Sequence, residues 1–168
     1  VPGDVVRIST PEEAREVSAF LLSPGLFGTP LTPGEEEEFA TRPAATLGRP
    51  DDGYWVIRDG EGTPEAVIGI RMNAERTGIY EISALAVRPG CRGRGTGRRL
   101  LEFAMRRVTE AGGRGLLFET SSDASYRPMH RLLGELGFER VGRFPDFYFP
   151  GEDTLWYFQK MNCSPDPE

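Results

Sequence analysis

The sequence predicts a single α/β (α+β) domain with a mixed, mostly antiparallel central sheet flanked by helices. Apolar runs rich in β-branched residues alternate with segments whose apolar residues recur at helical spacing. A turn rich in glycine and arginine, VRPGCRGRGTGRRL at residues 87–100, joins one of these strands to a helix. Because 168 residues is the length of one ordinary domain, we expect the domain to span residues 1–162, with a frayed tail at 163–168.

The composition argues against several classes of protein. A net charge of −6 is unfavourable for general nucleic-acid binding, and a single histidine with two cysteines is a poor basis for a metal site or a disulfide framework. The chain holds no apolar run near the roughly 18 residues that span a bilayer, and its N-terminal segment lacks the pattern of a signal peptide. We expect a cytoplasmic protein with no metal, no nucleic-acid partner and no membrane partner.

The first part of the chain predicts a strand followed by two helices. Residues 5–9 read as a strand, and Thr10, Pro11 and Glu13 form a capping box with proline at the first helical position. Residues 23–34 are rich in Pro and Gly and read as a loop, after which residues 35–38 (EEEE) begin a second helix. A solvated helix start is the preferred interpretation of these four acids, and the rim of an entrance for a cationic substrate is the alternative.

The rest of the chain alternates strands and helices. Three antiparallel strands are predicted at residues 54–58, 66–72 and 80–87, followed by the glycine- and arginine-rich turn and its helix. A buried strand at 116–120 and a helix that ends at Gly137 come next. Two strands at 139–143 and 154–161, separated by a loop at 144–153, complete the order β-α-α-β-β-β-α-β-α-β-β.

The turn between strand and helix has the features of a phosphate-binding loop. Gly93, Gly95 and Gly97 lack a Cβ, so backbone N–H groups there can approach an anion, and the helix N-terminus adds a partial positive charge. The spacing does not fit the dinucleotide motif G-x-G-x-x-G, and the turn lacks the lysine of a P-loop. The alternative interpretation is a plain glycine-rich surface turn.

The motif R-x-x-G-x-G at residues 92–97, preceded by Leu85-Ala86-Val87, resembles the acetyl-CoA signature of the GCN5-related N-acetyltransferases, the GNAT superfamily. The resemblance covers nearly the whole chain, since the element order and the Leu-Gly-Phe end of the last helix also match. It implies acetyl-CoA (coenzyme A) as the cosubstrate and no metal. The residues it assigns to coenzyme binding are Leu85, Ala86, Val87, Arg92, Gly93, Arg94, Gly95, Thr96, Gly97 and Tyr126.

The same resemblance implies an N-acetyltransferase that transfers an acetyl group to a primary amine of a small molecule by direct attack in a ternary complex. Glu81, six residues before Val87, is the candidate general base, and a glutamate on a half-exposed strand is the alternative. The acetyl carbonyl is expected against a backbone N–H of the strand that ends at Val87, where a bulge would expose a donor.

The chain departs from the family at the general acid. Many members have a tyrosine four residues before the glycine of the Gly-Phe pair, and Leu133 stands at that position here. Tyr126 is the candidate substitute, with Tyr148 as a second, although a packing role would explain either. His130, the single histidine, is expected at the surface or in contact with the coenzyme.

Two other functions remain open at the sequence level. One is a protein or peptide N-acetyltransferase, and the other is a non-catalytic acyl-CoA-binding GNAT module, which the leucine at position 133 favours. The resemblance places substrate choice in the variable segments 23–44 and 144–153, so the acceptor and the acyl length are not predicted. A homodimer also stays open.

Overall fold

A computed structural model describes residues 3–161, and in them the chain forms seven strands and four α-helices. The strands are β1 (Val6–Arg7), β2 (Gly53–Arg58), β3 (Pro64–Met72), β4 (Ile79–Val87), β5 (Gly115–Ser121), β6 (Glu139–Phe149) and β7 (Glu152–Lys160). The helices are α1 (Pro11–Leu21), α2 (Pro33–Ala45), α3 (Thr96–Glu110) and α4 (Arg127–Glu135). The predicted boundary at residue 162 and the predicted frayed tail at 163–168 lie outside the described residues.

The strands form one sheet in the order β1-β2-β3-β4-β5-β7-β6. The pairs β1–β2, β2–β3, β5–β7 and β6–β7 are antiparallel. Strands β4 and β5 are parallel, and α3 forms the crossover connection that a parallel pair requires. The predicted fold class, a mixed and mostly antiparallel sheet with helices, is therefore confirmed, as is the predicted order of the elements.

The chain divides into two compact units, which we call the first and the second unit. The first holds the chain up to Arg71 together with Ser83–Leu101, and the second holds Met72–Ile82 together with the chain from Glu102 onward. In the first unit, α1 and α2 bury their apolar sides with residues of β2, β3 and β4. The members of this core are Ile8, Ala14, Val17, Leu21, Leu26, Phe39, Tyr54, Val56, Val67, Ala84 and Ala86.

The second unit is built on the pairing of β5 with β7 and of β7 with β6. Leu116 and Leu155 are buried on these strands, and Leu133 of α4 is fully buried as well. Gly113, after α3, lets the backbone pass close to Val108 and Tyr80. A Cβ there would lie only 2.4 Å from Cγ1 of Val108 and 3.0 Å from the ring of Tyr80.

Both α1 and α2 begin with a capping box. The box predicted at Thr10 and Glu13 is confirmed, with Pro11 at the first helical position. The predicted start of α2 near Glu35 is wrong, because Thr32 is the N-cap and its backbone N–H donates to the side chain of Glu35 at 2.7 Å. In both helices a proline occupies the first helical position, where its missing N–H costs no intrahelical hydrogen bond. Pro33, which the sequence prediction assigned to the loop, therefore belongs to α2.

The predicted loop at residues 144–153 is also wrong. There β6 runs on to Phe149, and a two-residue turn at Pro150 and Gly151 leads into β7. The strand tolerates an irregular step at Asp146, which has a φ of +51°, because its backbone N–H donates to Asp153 and its carboxylate accepts from the N–H of Gly151. This part of the chain is therefore a long hairpin.

Candidate active site

The glycine loop, residues 92–97, follows a short 3₁₀ turn (Pro89–Cys91) at the end of β4 and leads directly into α3. Gly93 has a φ of +75° and Gly95 a φ of +82°, both in the left-handed region that other L-residues rarely adopt. A Cβ at either position would meet nothing within 4 Å. The backbone conformation therefore requires these glycines, and open space lies beside each of them.

The first turn of α3 favours an anion. The N–H groups at the start of a helix have no intrahelical partner, and the helix dipole adds a partial positive charge there. This turn contains no acidic residue, and Thr96, its first residue, is buried. The guanidinium of Arg99 donates to the backbone carbonyl of Gly3 at 2.8 Å, so it ties α3 to the N-terminal segment.

The side chain of Arg92 is part of the scaffold of the glycine loop. Its Nε donates to the carbonyl oxygen of Val87 at 2.9 Å, and its Nη2 donates to the carbonyl of Leu26 in the segment between α1 and α2. One guanidinium thus joins the end of β4 to that segment. By contrast, Arg94 is exposed at the tip of the loop.

In the first unit, β4 has an irregularity just before Leu85. The side-chain oxygen of Ser83 lies at the Gly69–Tyr54 pair, because a Cβ on Gly69 would be 2.4 Å from it and 2.7 Å from the Tyr54 ring. The next residue, Ala84, belongs to the core that contains Tyr54. Successive side chains of a regular strand point to opposite faces, so two consecutive residues on one side indicate a β-bulge.

The hydroxyl of Tyr54 is buried beside this bulge. Among the described residues no partner meets hydrogen-bond geometry with it, although Ser83 lies next to it. Burial raises the pKa of Tyr54 to about 12. Glu38, which adds to the shift, forms an ion pair of 2.6 Å with Arg71 and thereby links α2 to β3.

The candidate base Glu81 lies in the second unit, half-buried on the part of β4 that pairs with β5. It stands opposite Leu117 in the parallel ladder, and that ladder ends one residue later, at Ile82 and Phe118. Leu117 in turn pairs with Phe158 of β7. The register therefore places Glu81 on the face of the sheet that carries Leu117 and Phe158.

The candidate proton donors also belong to the second unit. Tyr126 is half-buried at the N-cap of α4, after β5. The hydroxyl of Tyr148 donates to Glu119 at 3.2 Å and lies 3.4 Å from that of Thr154. Leu133, in the position where the family resemblance leads one to look for tyrosine, is fully buried, so this position packs in the core.

The side chain of His130 is held by contacts with two strands of the sheet. Its Nε2 lies 2.9 Å from the carbonyl oxygen of Ser121, and its ring stacks on that of Tyr157 with centroids 5.9 Å apart. These contacts fix α4 against the end of β5 and against Tyr157 of β7. His130 is partly exposed, so its predicted position at the surface or in contact with the coenzyme stays a prediction.

The sequence-predicted residues therefore fall into two groups. Leu85, Ala86, Val87 and the glycine loop are brought together in the first unit, whereas Glu81 and Tyr126 lie in the second. The sequence interpretation missed the scaffold role of Arg92 and the placement of Ser83 and Glu119. The alternation of residue types along β4 identifies Ser83 as a polar residue within an apolar strand. The bulge itself cannot be inferred until the partner strand is known.

Within residues 3–161, no three or more His, Cys, Asp and Glu side chains are grouped so that they could hold a metal ion. No helix in that part of the chain is long and apolar enough to cross a bilayer.

The sheet contains the parallel pair β4 and β5, and the connection between them consists of an open glycine loop followed by α3, as in an α/β protein. The model of the acetyltransferase (GNAT) family matches residues 22–138, which is more than half of the chain. The chain therefore belongs to the GNAT acetyltransferase family.

Solved structures support the same fold. A GNAT-family protein from Desulfovibrio desulfuricans has 24% identity and a TM-score of 0.78, with 95% of this chain and 99% of that chain covered. The ribosomal-protein-S18-alanine N-acetyltransferase of Escherichia coli has 18% identity and a TM-score of 0.76, with 98% and 97% covered. An aminoglycoside 6'-N-acetyltransferase complexed with coenzyme A has 17% identity and a TM-score of 0.69, with 97% and 99% covered. No curated protein sequence is significantly similar to the chain.

Proposed function

We propose that this protein is an acetyl-CoA-dependent N-acetyltransferase that acetylates a primary amine of a small molecule. The observation that carries the proposal is the glycine loop, in which Gly93 and Gly95 take left-handed conformations with open space beside them at the start of α3. Family membership supports acetyl transfer, and the aminoglycoside enzyme with bound coenzyme A supports this cosubstrate.

The residues of the first unit fit the charged end of acetyl-CoA. Backbone N–H groups of the glycine loop and of the first turn of α3 would hold the pyrophosphate, and Arg94 adds a full positive charge. Arg92 keeps the loop in place through the carbonyls of Val87 and Leu26. When bound, acetyl-CoA supplies the acetyl group as an activated thioester.

The end of β4 would orient the reacting carbonyl. A bulge at Ser83 and Ala84 would interrupt the regular ladder and leave backbone N–H groups available for a ligand. A donor from Leu85, Ala86 or Val87 that is aimed at the carbonyl oxygen would stabilise the negative charge that develops on it during attack.

Glu81 and Tyr126 would move protons. Glu81 accepts a proton from the attacking amine, directly or through a water molecule. Tyr126 at the N-cap of α4 is the proposed proton donor to the leaving sulfur, and Tyr148 is the second candidate. A thiol with a pKa near 8.5 leaves as the thiolate without full protonation, so the reaction depends less on the acid than on the base.

One observation favours a second candidate, a non-catalytic module that binds acyl-CoA. Leu133 is fully buried at the position where many family members carry the acid tyrosine. Such a module would bind acetyl-CoA with the same glycine loop and release no thiol in the presence of amines. The ribosomal-protein relative shows that a similar fold also serves protein acetylation in other members.

Thiol release from acetyl-CoA in the presence of a panel of small amines, amino acids and peptides tests the proposal. We expect release with at least one small primary amine, no release without an acceptor, and loss of release in Glu81→Gln. Tight binding of acetyl-CoA with no release for any acceptor would favour the non-catalytic module. Release that requires a peptide would favour protein acetylation.

A further inference from the structure

Exposed aromatic side chains concentrate on the hairpin of β6 and β7. Among the described residues six large apolar side chains are exposed, and four of them lie on this hairpin. They are Val141 at 57%, Phe144 at 62%, Phe147 at 49% and Trp156 at 37%. A concentration of this kind on a strand at the sheet edge indicates a binding surface.

The strand register shows that Trp156 lies beside a carboxylate. Trp156 pairs with Glu119 of β5 on one side and with Gly142 of β6 on the other. Directly opposed side chains on neighbouring strands have Cβ atoms about 5 Å apart. Since Gly142 has no side chain, nothing on β6 covers the indole at this position.

Further aromatic rings extend the surface from Trp156 along the hairpin. Phe144 follows Gly142 on the same face, and its ring lies 6.2 Å from that of Phe147, which in turn lies 5.1 Å from Tyr148. The hydroxyl of Tyr148 donates to Glu119 and so orients this carboxylate. We call Phe144, Phe147, Tyr148 and Trp156 the aromatic face.

Glu81 lies on the same face of the second unit. It stands opposite Leu117, and Glu119 follows Leu117 two residues along β5, where the side chain returns to the same side. A strand spacing of about 4.8 Å and a rise of about 6.6 Å over two residues separate the two positions by about 8 Å. One flexible molecule of modest length can therefore contact both carboxylates.

The charged side chains nearest the aromatic face are acidic, whereas Lys160, on the same face, stands opposite Gly115 at the far end of β7. Glu139 pairs with Phe158, so it lies on the same face as Glu81. Arg140 and Arg143 lie on the other face, with their partners Tyr157 and Leu155. Carboxylates next to exposed aromatic rings favour a cation, because both the charge and the ring quadrupole attract it. The occupant that complements this surface carries positive charge.

From this placement we infer that the acceptor is a primary amine with a second cationic amino group, held by Glu119 and Trp156. The inference rests on the proposed function, because the first amino group reacts at Glu81. The 8 Å between the two positions corresponds to a chain of about five methylenes between the nitrogens. Tyr148 acts as a positioning residue for Glu119, and Phe144 and Phe147 pack on the methylenes.

Matched probes test the inference: 1,5-diaminopentane carries the second charge, and 1-aminopentane does not. We expect the parent protein to prefer the diamine by at least about tenfold in kcat/KM. Glu119→Gln should remove most of that preference by raising the KM for the diamine. Glu110→Gln, at the exposed end of α3, removes one negative charge elsewhere and should retain the preference.

Diamine binding measured by calorimetry separates this inference from the proposed function. Diamine that binds the parent and not Glu119→Gln, with no thiol release for any acceptor, sustains the inference for binding and overturns the proposed reaction. Acetylation with no preference for the diamine, or a preference that Glu119→Gln retains, overturns the inference and leaves the function intact. The inference is also overturned if Trp156→Ser leaves the kinetics unchanged and dissociates a dimer, since the face then joins two copies.

Discussion

In our proposals the glycine loop binds an anion through its backbone, whereas the aromatic face binds a cation through its side chains. The loop offers backbone N–H groups, which left-handed glycines leave uncovered, and it attracts an anion. The aromatic face on β6 and β7, with Glu119 of β5 beside it, offers rings and a carboxylate for the proposed cation. The loop is built from neighbours in sequence, whereas the proposed cation site joins residues distant in sequence, such as Glu119 and Tyr148, which are 29 positions apart.

This difference determines how each region responds to substitution. In the loop the conformation itself is the binding element, so one added Cβ is enough to damage it. On the face each side chain contributes separately, and the loss of one leaves the others in place. A single substitution in the loop should therefore remove most of the coenzyme affinity. A single substitution on the face should lower the acceptor affinity only partly.

The largest effect is expected for Gly95→Asp. A residue with a Cβ is strained at a φ of +82°, and the carboxylate would stand in the open space where the anion approaches. We expect acetyl-CoA binding to be abolished in calorimetry, because strain and like charge act together. Gly90→Asp, at an open position just before the loop, adds the same charge and should retain most of the affinity.

Substitution of Glu81 should affect turnover and not coenzyme binding. Without the carboxylate the amine must lose its proton to solvent, so Glu81→Gln should lower kcat by about 10² to 10⁴ at neutral pH. The loss should shrink as pH rises, because more of the free amine is then already neutral. A Glu81→Gln protein within threefold of the parent would show that positioning alone carries the reaction.

Substitution of two loop arginines should distinguish a structural role, expected for Arg92, from a purely electrostatic role, expected for Arg94. Arg92→Ala removes the hydrogen bonds to Val87 and Leu26, so it should lower both the melting temperature and coenzyme affinity, the latter by about tenfold. Arg94→Ala should lower affinity by only a few-fold, less at high salt, and leave the melting temperature unchanged. Equal effects of the two variants on thermal unfolding would contradict the scaffold role.

The sequence alone predicts the glycine loop because everything that defines it is local. Three glycines at alternate positions, a preceding strand and a following helix are all contained in residues 80–110, and the structure places them in that order. The capping box at Thr10 and Glu13 is predicted for the same reason, since four consecutive residues make it.

The aromatic face could not be predicted in this way. Residues 144–153 contain Pro, Gly and Asp, which favour a loop, yet pairing with β7 and the contacts of Asp146 with Asp153 and Gly151 hold most of them as a strand. The pairing of Glu119 with Trp156 depends on the register of the sheet, and one sequence does not define a register between distant strands. Local preference predicted a loop here, and tertiary pairing overrode it.

The smallest effect concerns Asp153, which holds the hairpin that carries the aromatic face. The N–H of Asp146, and then the guanidinium of Arg143, hold the pKa of Asp153 below its ordinary value. A lowered pKa in the folded protein stabilises it above the unfolded value, near pH 3.9, and this contribution disappears as pH falls through the folded pKa. Asp153→Asn should therefore melt a few degrees below the parent at pH 7, and the two should converge toward pH 2–3. Asp4→Asn, at an exposed position, should match the parent throughout, and a constant gap for Asp153→Asn at all pH values would show that its charge does not hold the hairpin.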